Sequence, residues 1–220
     1  MARPRSNIQP RIVKAARGRF LEDGVDGASL RRIARDSHTS IGMVYYYYRT
    51  KDDLFLAVVE EIYSRLLEDM TEALDPAYPP RERLRRLYVR VGKISDEELD
   101  VVRLVLREVL VSSSRLEQLI ERFQRGHLPL VLATLADGYA DGSIDASMHP
   151  SLALMAALVL GTAPQMMRRI AGKHLPYQGI PEGEALSNAL IEVLFRGIGT
   201  DSRRATRPAQ DEEETEVQDG

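Results

Sequence analysis

The stretch SLRRIARDSHTSIGMVYYYYRTKDDL, residues 29–54, restricts the fold more than any other part of this chain. It reads as two short helices, a tight turn, and the start of a third helix. Ser29 stands where an N-cap accepts from the open N–H groups of a first turn. Leu30, Ile33 and Ala34 fall at helical spacing on one face, opposite Arg31, Arg32 and Arg35. The run breaks at Ser37-His38-Thr39, and Ser40 is placed to cap a second helix through Ile41, Met43 and Val44. Thr50 and Asp53 have the spacing of a capping box opening a third helix. Two short helices across a three- or four-residue turn form a helix-turn-helix, whose second helix fits a DNA major groove.

Tyr45, Tyr46, Tyr47 and Tyr48 are consecutive. On a helix they point about 100° apart, so they cannot all be core. One division turns Val44 and Tyr48 inward and leaves the hydroxyls of Tyr45 and Tyr47 free to donate to phosphate oxygens. Lys51 then adds charge beside first-turn N–H groups that themselves attract anions. The other division makes the tyrosines an aromatic packing cluster followed by a solvated Lys-Asp-Asp helix start. The residues alone leave both open.

Gly24, Ser29, Ile33-Ala34, Gly42, Tyr45, Tyr48 and Lys51-x-x-Leu54 occur in a fixed order between Ile12 and about Val59. In that order and spacing the segment resembles the TetR (tetracycline-repressor-type) family of bacterial transcriptional regulators. It departs twice: His38 stands at a turn position usually held by Gly, and Tyr48 where a core Phe is usual. His tolerates the positive φ such a turn can need better than most residues. A buried Tyr48 hydroxyl needs a partner or a route to water.

The resemblance implies a homodimeric, ligand-responsive regulator of double-stranded operator DNA, most often a repressor. Carried over residue by residue, Tyr45, Tyr47 and Lys51 hold phosphates. Arg31, Ser40, Ile41, Met43 and Tyr46 face base edges or their margins, and Ser29 caps its helix with a phosphate also within reach. The last two helices of each subunit form a four-helix interface in that family. Here they are Ser151–Arg169 and Glu182–Gly197, with Leu154, Leu158, Ala185, Leu186, Ala189, Leu190, Val193 and Leu194 as candidates; the alternative is that this face is intramolecular core.

The charge distribution agrees with a DNA-facing head. The 220-residue chain has net charge −3, but residues 1–57 carry eleven Lys/Arg against six acids. Residues 209–220 hold six acids and no base. A basic excess at the helix-turn-helix is the footprint of a phosphate-binding face. The acidic tail is too polar to bury a core of its own, and is read either as a disordered solubilising tail or as a competitor for the basic face. Arg3 and Arg5 belong to a basic arm that is either disordered or enters a minor groove. Cys is absent, so no disulfide framework exists. No signal-type segment precedes the first helix, and the longest apolar run, Leu152–Leu160, is half of what a bilayer requires. The expected setting is a bacterial cytoplasm, with no membrane partner.

Helical periodicity continues to about residue 197, and no segment alternates with period two, so the expected fold is all-α. The first helix runs from Pro10 to Asp23 with Gly24 as C-cap, and a long helix runs from Thr50 to about Leu74. Arg81–Ile94 follows; then Ser95 and Glu98 open Asp96–Ser112, whose near-continuous apolar content predicts a central, buried helix. One helix kinked at Pro129 is expected over Arg115–Asp137, a loop over Gly138, Gly142 and Ser143, and interruptions at Gly161 and Pro164. The domains follow: 1–9 a flexible arm, 10–57 the DNA-binding head, 58–199 a helical ligand-binding and dimerisation bundle, 200–220 the tail.

The ligand site is expected against the long helix, where polar or adaptable residues interrupt apolar stretches. Tyr63, Tyr88, Arg107, His127, Gln165, Met166 and Met167 are those residues, and they suggest an apolar or aromatic effector. Catalytic patterns are missing. The histidines at 38, 127, 149 and 174 show no metal-ligand spacing, and there is no nucleophile elbow or phosphate-cradling loop. The reading is a regulator rather than an enzyme, with no cofactor; the alternative is a helical ligand-binding or interaction module that no longer reads DNA.

Overall fold

The computed structural model describes residues 7–171 and 179–198. Arg3, Arg5, His174 and the acidic tail lie outside the described residues. Among the described residues there are ten α-helices and no strand. The helices are α1 (Ile8–Gly27), α2 (Leu30–Asp36), α3 (Ile41–Tyr47), α4 (Lys51–Ala73), α5 (Pro80–Gly92), α6 (Asp96–Val111), α7 (Ser113–Gln124), α8 (His127–Ala140), α9 (Pro150–Ala171) and α10 (Gly183–Ile198).

Local chemistry accounts for the boundaries in the first third. The regular turns of α1 stop at Gly24, whose φ of 77° is a conformation glycine adopts without a Cβ penalty. His38 sits in the turn after α2 with φ 52°. The Ser37 hydroxyl donates to the carbonyls of Ile33 (2.8 Å) and Ala34 (3.1 Å), closing the end of α2. Both capping boxes are formed, Thr50 with Asp53 at the start of α4 and Ser95 with Glu98 at the start of α6.

Two apolar cores result. The first gathers Ile12, Ala16 and Phe20 of α1, Ile33 of α2, Val44 of α3 and Leu54, Phe55 and Val58 of α4, and it includes Leu104 of α6 and Leu119 of α7. The second joins Leu84 and Tyr88 of α5, Val131 and Leu135 of α8, Ala153 and Ala157 of α9, and Leu190, Ile191 and Leu194 of α10. Each large side chain removed from water in this way contributes about 1.5–3 kcal/mol. Helix α4 reaches both cores, with Leu54 to Tyr63 in the first and Ala73 in the second.

Four expectations are corrected. The single helix over Arg115–Asp137 is two, α7 and α8, because the chain bends at Gly126. A Cβ there would sit 2.1 Å from the Tyr63 hydroxyl, so the bend is shaped around that side chain. Pro129 falls in the first turn of α8, where its missing N–H costs nothing. Helix α6 is not buried all round: Leu106, Leu110 and Val111 are exposed, and only the side bearing Leu99, Val101 and Leu104 faces the cores. Gly138 lies inside α8, not in a loop, its bare side occupied by Ile144. Helix α9 runs through both Gly161 and Pro164, and Gly161 is the seat of the Tyr88 ring.

Candidate nucleic-acid interface

Helix α3 is presented by its two ends. At its start the Ser40 Oγ accepts from the Met43 N–H at 3.2 Å. At its other end Tyr48, 6% exposed, anchors the chain in the first core beside Val44, which is fully buried. That fixes which tyrosines face outward. Tyr45 and Tyr46 are 53% and 77% exposed, while Tyr47 is half-buried, packed edge-on against Tyr46. The Tyr48 hydroxyl is buried without a well-formed hydrogen bond, with the Gln9 side chain as its polar neighbour, and desolvation pushes its pKa up.

Arg31 is exposed on α2, on the same side of the sequence pattern as Arg32 and Arg35. Ile41 and Met43 are half-buried, and Ile41 packs on the first core. Ser29 occupies the N-cap position of α2, but its side chain makes no capping bond; its carbonyl accepts from Ile33 instead, at 3.0 Å. The expected side-chain cap is therefore absent, which leaves the hydroxyl unused by the helix. Lys51 begins α4, and its Nζ donates to the Asp26 carbonyl at 2.6 Å, beside the open N–H groups of that helix end. Helices α1 and α2 are braced by Arg19 and Asp36 at 2.7 Å, and that contact holds the Asp36 carboxyl below its usual range. The outcome is that Ser40, Tyr45 and Tyr46 are exposed on α3 and its cap, with Lys51 opening the helix that follows.

The seven ligand candidates do not converge. The Tyr63 hydroxyl shares a hydrogen bond with His127 Nδ1 at 2.8 Å and accepts from the His127 backbone N–H at 3.1 Å, with Arg122 over its ring. Burial, then the nearby Arg122 charge, holds the His127 pKa down. Tyr88 and Gln165 form a second buried group: the Tyr88 hydroxyl donates to the Ala157 carbonyl at 2.7 Å, and Gln165 Nε2 donates to the Tyr88 carbonyl at 2.7 Å. Met166 is buried nearby in the second core, whereas Met167 is 55% exposed. Arg107 lies elsewhere, donating to the Phe20 and Leu21 carbonyls of α1. A surface cleft of about 780 Å³ runs along α4 between Ser64 and Pro76, with Arg122 on its wall, and it is lined by none of the seven.

The candidates for a dimer face separate by exposure. Leu186, Leu190 and Leu194 are buried in the chain's own core; Leu154, Leu158 and Ala189 are half-buried, and Ala185 and Val193 are exposed. Sequence reasoning missed Leu152, Met155, Val159 and Ile170, and placed Met167 in the ligand site; all five are exposed on α9. The three- and four-residue spacing of Leu152, Met155 and Val159 was the available signal. It also missed Glu108 and Arg115, a buried pair at 2.6 Å, although Glu108 is the one acid in the C-terminal half of α6.

Residues 12–58 match the family of bacterial regulatory proteins described as the tetR family. The matched segment, from Ile12 in α1 to Val58 in α4, is the part of the chain that carries this likeness. TetR-family proteins are transcriptional regulators, not a class of enzymes. Over 187 residues the chain is 22% identical to the fatty acid metabolism regulator protein of Bacillus subtilis, spanning 85% of this chain and 93% of that one. The fold is similar to that of the transcriptional regulator FadR from Bacillus subtilis, solved in complex with stearoyl-CoA. That likeness has a TM-score of 0.70 at 21% identity, covering 86% of this chain and 98% of that one. It is also similar to a TetR-like transcriptional regulator from Rhodococcus sp. RHA1, with TM-score 0.64, 25% identity, and 89% and 98% covered. The matched segment contains α2, the turn and the outward-facing α3.

Proposed function

We propose that this TetR-family chain is a cytoplasmic, homodimeric repressor that holds operator DNA through its α2–α3 head and releases it on binding a small apolar effector. The observation that carries the DNA reading is one arrangement: the capped, outward α3 beside Lys51 at the N-terminus of α4, within the basic third of the chain. Tyr45, Tyr47 and Lys51 are read as phosphate contacts, with the free Ser29 hydroxyl added to them. Arg31, Ser40, Met43 and Tyr46 are read as facing base edges, and Ile41, packed on the core, as reaching only their margin.

Dimerisation is supported by the exposed apolar side of α9, with Val193 exposed on α10. Helix α9 is long and apolar enough, from Pro150 to Ile170, to cross a membrane by length and composition. An apolar side facing a second copy accounts for the same composition, since a two-fold dimer reads two half-sites. For the effector, the Bacillus subtilis FadR complex makes a long-chain acyl thioester the first compound to test; its acyl chain is apolar, while its CoA moiety is anionic.

The test is selection of bound fragments from random and genomic DNA, followed by titration at several salt concentrations. Lys51→Ala is expected to weaken binding to all fragments alike and to lower the salt slope by about 1. A chain that selects no fragment, or binds without salt dependence, refutes the DNA reading. Stearoyl-CoA added to the selected complex is expected to release it, and DNA must then weaken stearoyl-CoA binding by the same factor.

A further inference from the structure

Helix α7 opens with Ser112 as its N-cap, and Arg115 lies in its first turn. A cation there opposes the helix dipole. Its side chain is also only 5% exposed, so it needs anionic partners to be buried at all. It has three, each from a different segment. Arg115 Nη1 donates to Glu108 Oε2 of α6 at 2.6 Å, and Nε donates to Asp52 Oδ1 in the first turn of α4 at 2.8 Å. Nη1 and Nη2 both reach the Asp26 carboxylate, between the bend at Gly24 and α2.

The partners carry the connection further. Glu108 Oε1 accepts from the Val25 N–H at 3.3 Å, and Arg107 beside it donates to the Phe20 and Leu21 carbonyls. The main chain of Asp26 accepts from Lys51 Nζ. Segment 25–26 is therefore held between Arg115 on one side and Lys51 on the other. Three cations, Lys51, Arg107 and Arg115, meet three carboxylates, Asp26, Asp52 and Glu108, and the planar guanidinium is the group able to address several carboxylates at once. The contact with Arg115 holds the Asp26 carboxyl below its usual range.

We propose that Arg115 is the positioning residue of the DNA head: it locks α6 and α7 to the two segments that flank Lys51, so that the head takes its position from those helices. The proposal rests on the DNA reading above for its consequence in binding, but the position itself is measured without DNA, effector or dimer. Arg115 touches no DNA in this scheme. It acts through Asp26 and Asp52.

The experiment uses the full chain with Asp26→Asn and Asp52→Asn together. Their side chains are 71% and 35% exposed, and the buried Arg115–Glu108 pair stays intact, so folding is preserved. The chain has no native cysteine, which permits spin labels at Gly18→Cys on α1 and Gln118→Cys on α7, diluted with unlabelled protein. The parent is expected to give one narrow label-to-label distance, and the double Asn variant a broadened one. Binding to the DNA fragment selected by the parent supplies a second readout with a decisive sign. Removing two anions from a DNA-binding head tightens binding by Coulomb's law alone; loss of the lock weakens it, by about tenfold on the scale of coupled sites. Arg115→Lys, which keeps the charge but not the fork, is expected to move both readouts the same way. A distance as narrow as the parent's, or tightened DNA binding, overturns the proposal. A chain that selects no DNA fragment refutes the DNA reading and leaves the distance measurement to decide this one.

Discussion

The helix ends of the head and the interior of the α5–α8–α9–α10 bundle satisfy their polar groups in different ways. In the head, Ser40 bonds Met43, Thr50 and Asp53 bond each other, and Ser37 bonds Ile33 and Ala34, every one within four residues. In the bundle the bonds span the sequence: Tyr88 to Ala157 is 69 residues, Gln165 to Tyr88 is 77, and Arg83 to Asp137 is 54. Tyr63 to His127, where α4 meets α8, spans 64. Local bonds set element ends whatever lies around them. Long-range bonds exist only after helices have packed, so they depend on packing and in turn fix it.

The contrast can be broken most strongly at Gly161. A Cβ there would lie 2.4 Å from Tyr88 Cε1, a rigid ring in a filled core. Gly161→Ala is expected to lower unfolding free energy by about 1–3 kcal/mol. A denaturant titration showing no loss would mean that the Tyr88 seat is loose and the bundle less determined than the head.

His127 offers a pH test of the long-range side. Its folded pKa lies below the unfolded value because burial disfavours the charged ring. The unfolded chain therefore binds the proton more readily, and stability falls as pH drops below about 6.5. The lowered carboxyls of Asp26 and Glu60, each held by an arginine, contribute stability above the unfolded value. That is lost only as pH falls through the lower folded value, in a more acidic window. Melting temperatures between pH 7 and 5 should decline for the parent and flatten for His127→Gln. Parallel curves would remove His127 from the account.

The smallest effects belong to the head. Ser40→Ala removes a real cap and is expected to cost about 1 kcal/mol. Ser29→Ala removes a side chain with no capping bond and should change stability by less than about 0.5 kcal/mol. Equal losses in the two variants would show that Ser29 caps in solution after all.

The same division explains what the amino-acid sequence made legible. Gly24 and the cap at Ser40 are consequences of near neighbours, and each is found where the sequence pattern put it; the positive φ of His38 falls at the turn position that the resemblance marked, and packing decides that Val44 and Tyr48 face inward. The split of α7 from α8 was not readable, because its cause is the Tyr63 hydroxyl against Gly126, supplied from α4. The apolar richness of α6 pointed to full burial, but composition does not say which side faces a core, and Leu110 is 88% exposed. The ligand candidates failed to converge for a similar reason. Tyr88 and Gln165 interrupt apolar stretches because they bond to each other's surroundings, which is a packing role invisible in a single helix.

The Lys51 tether has a thermodynamic meaning beyond geometry. A free lysine side chain loses rotamer entropy of about 1.5–2 kcal/mol when it is immobilised. Here the bond to the Asp26 carbonyl restricts the side chain during folding, with further N–H donors of the same ammonium still open. If Lys51 holds a phosphate as proposed, that phosphate would meet a charge that has already given up much of its freedom, so less of the ordering would be left for the encounter itself.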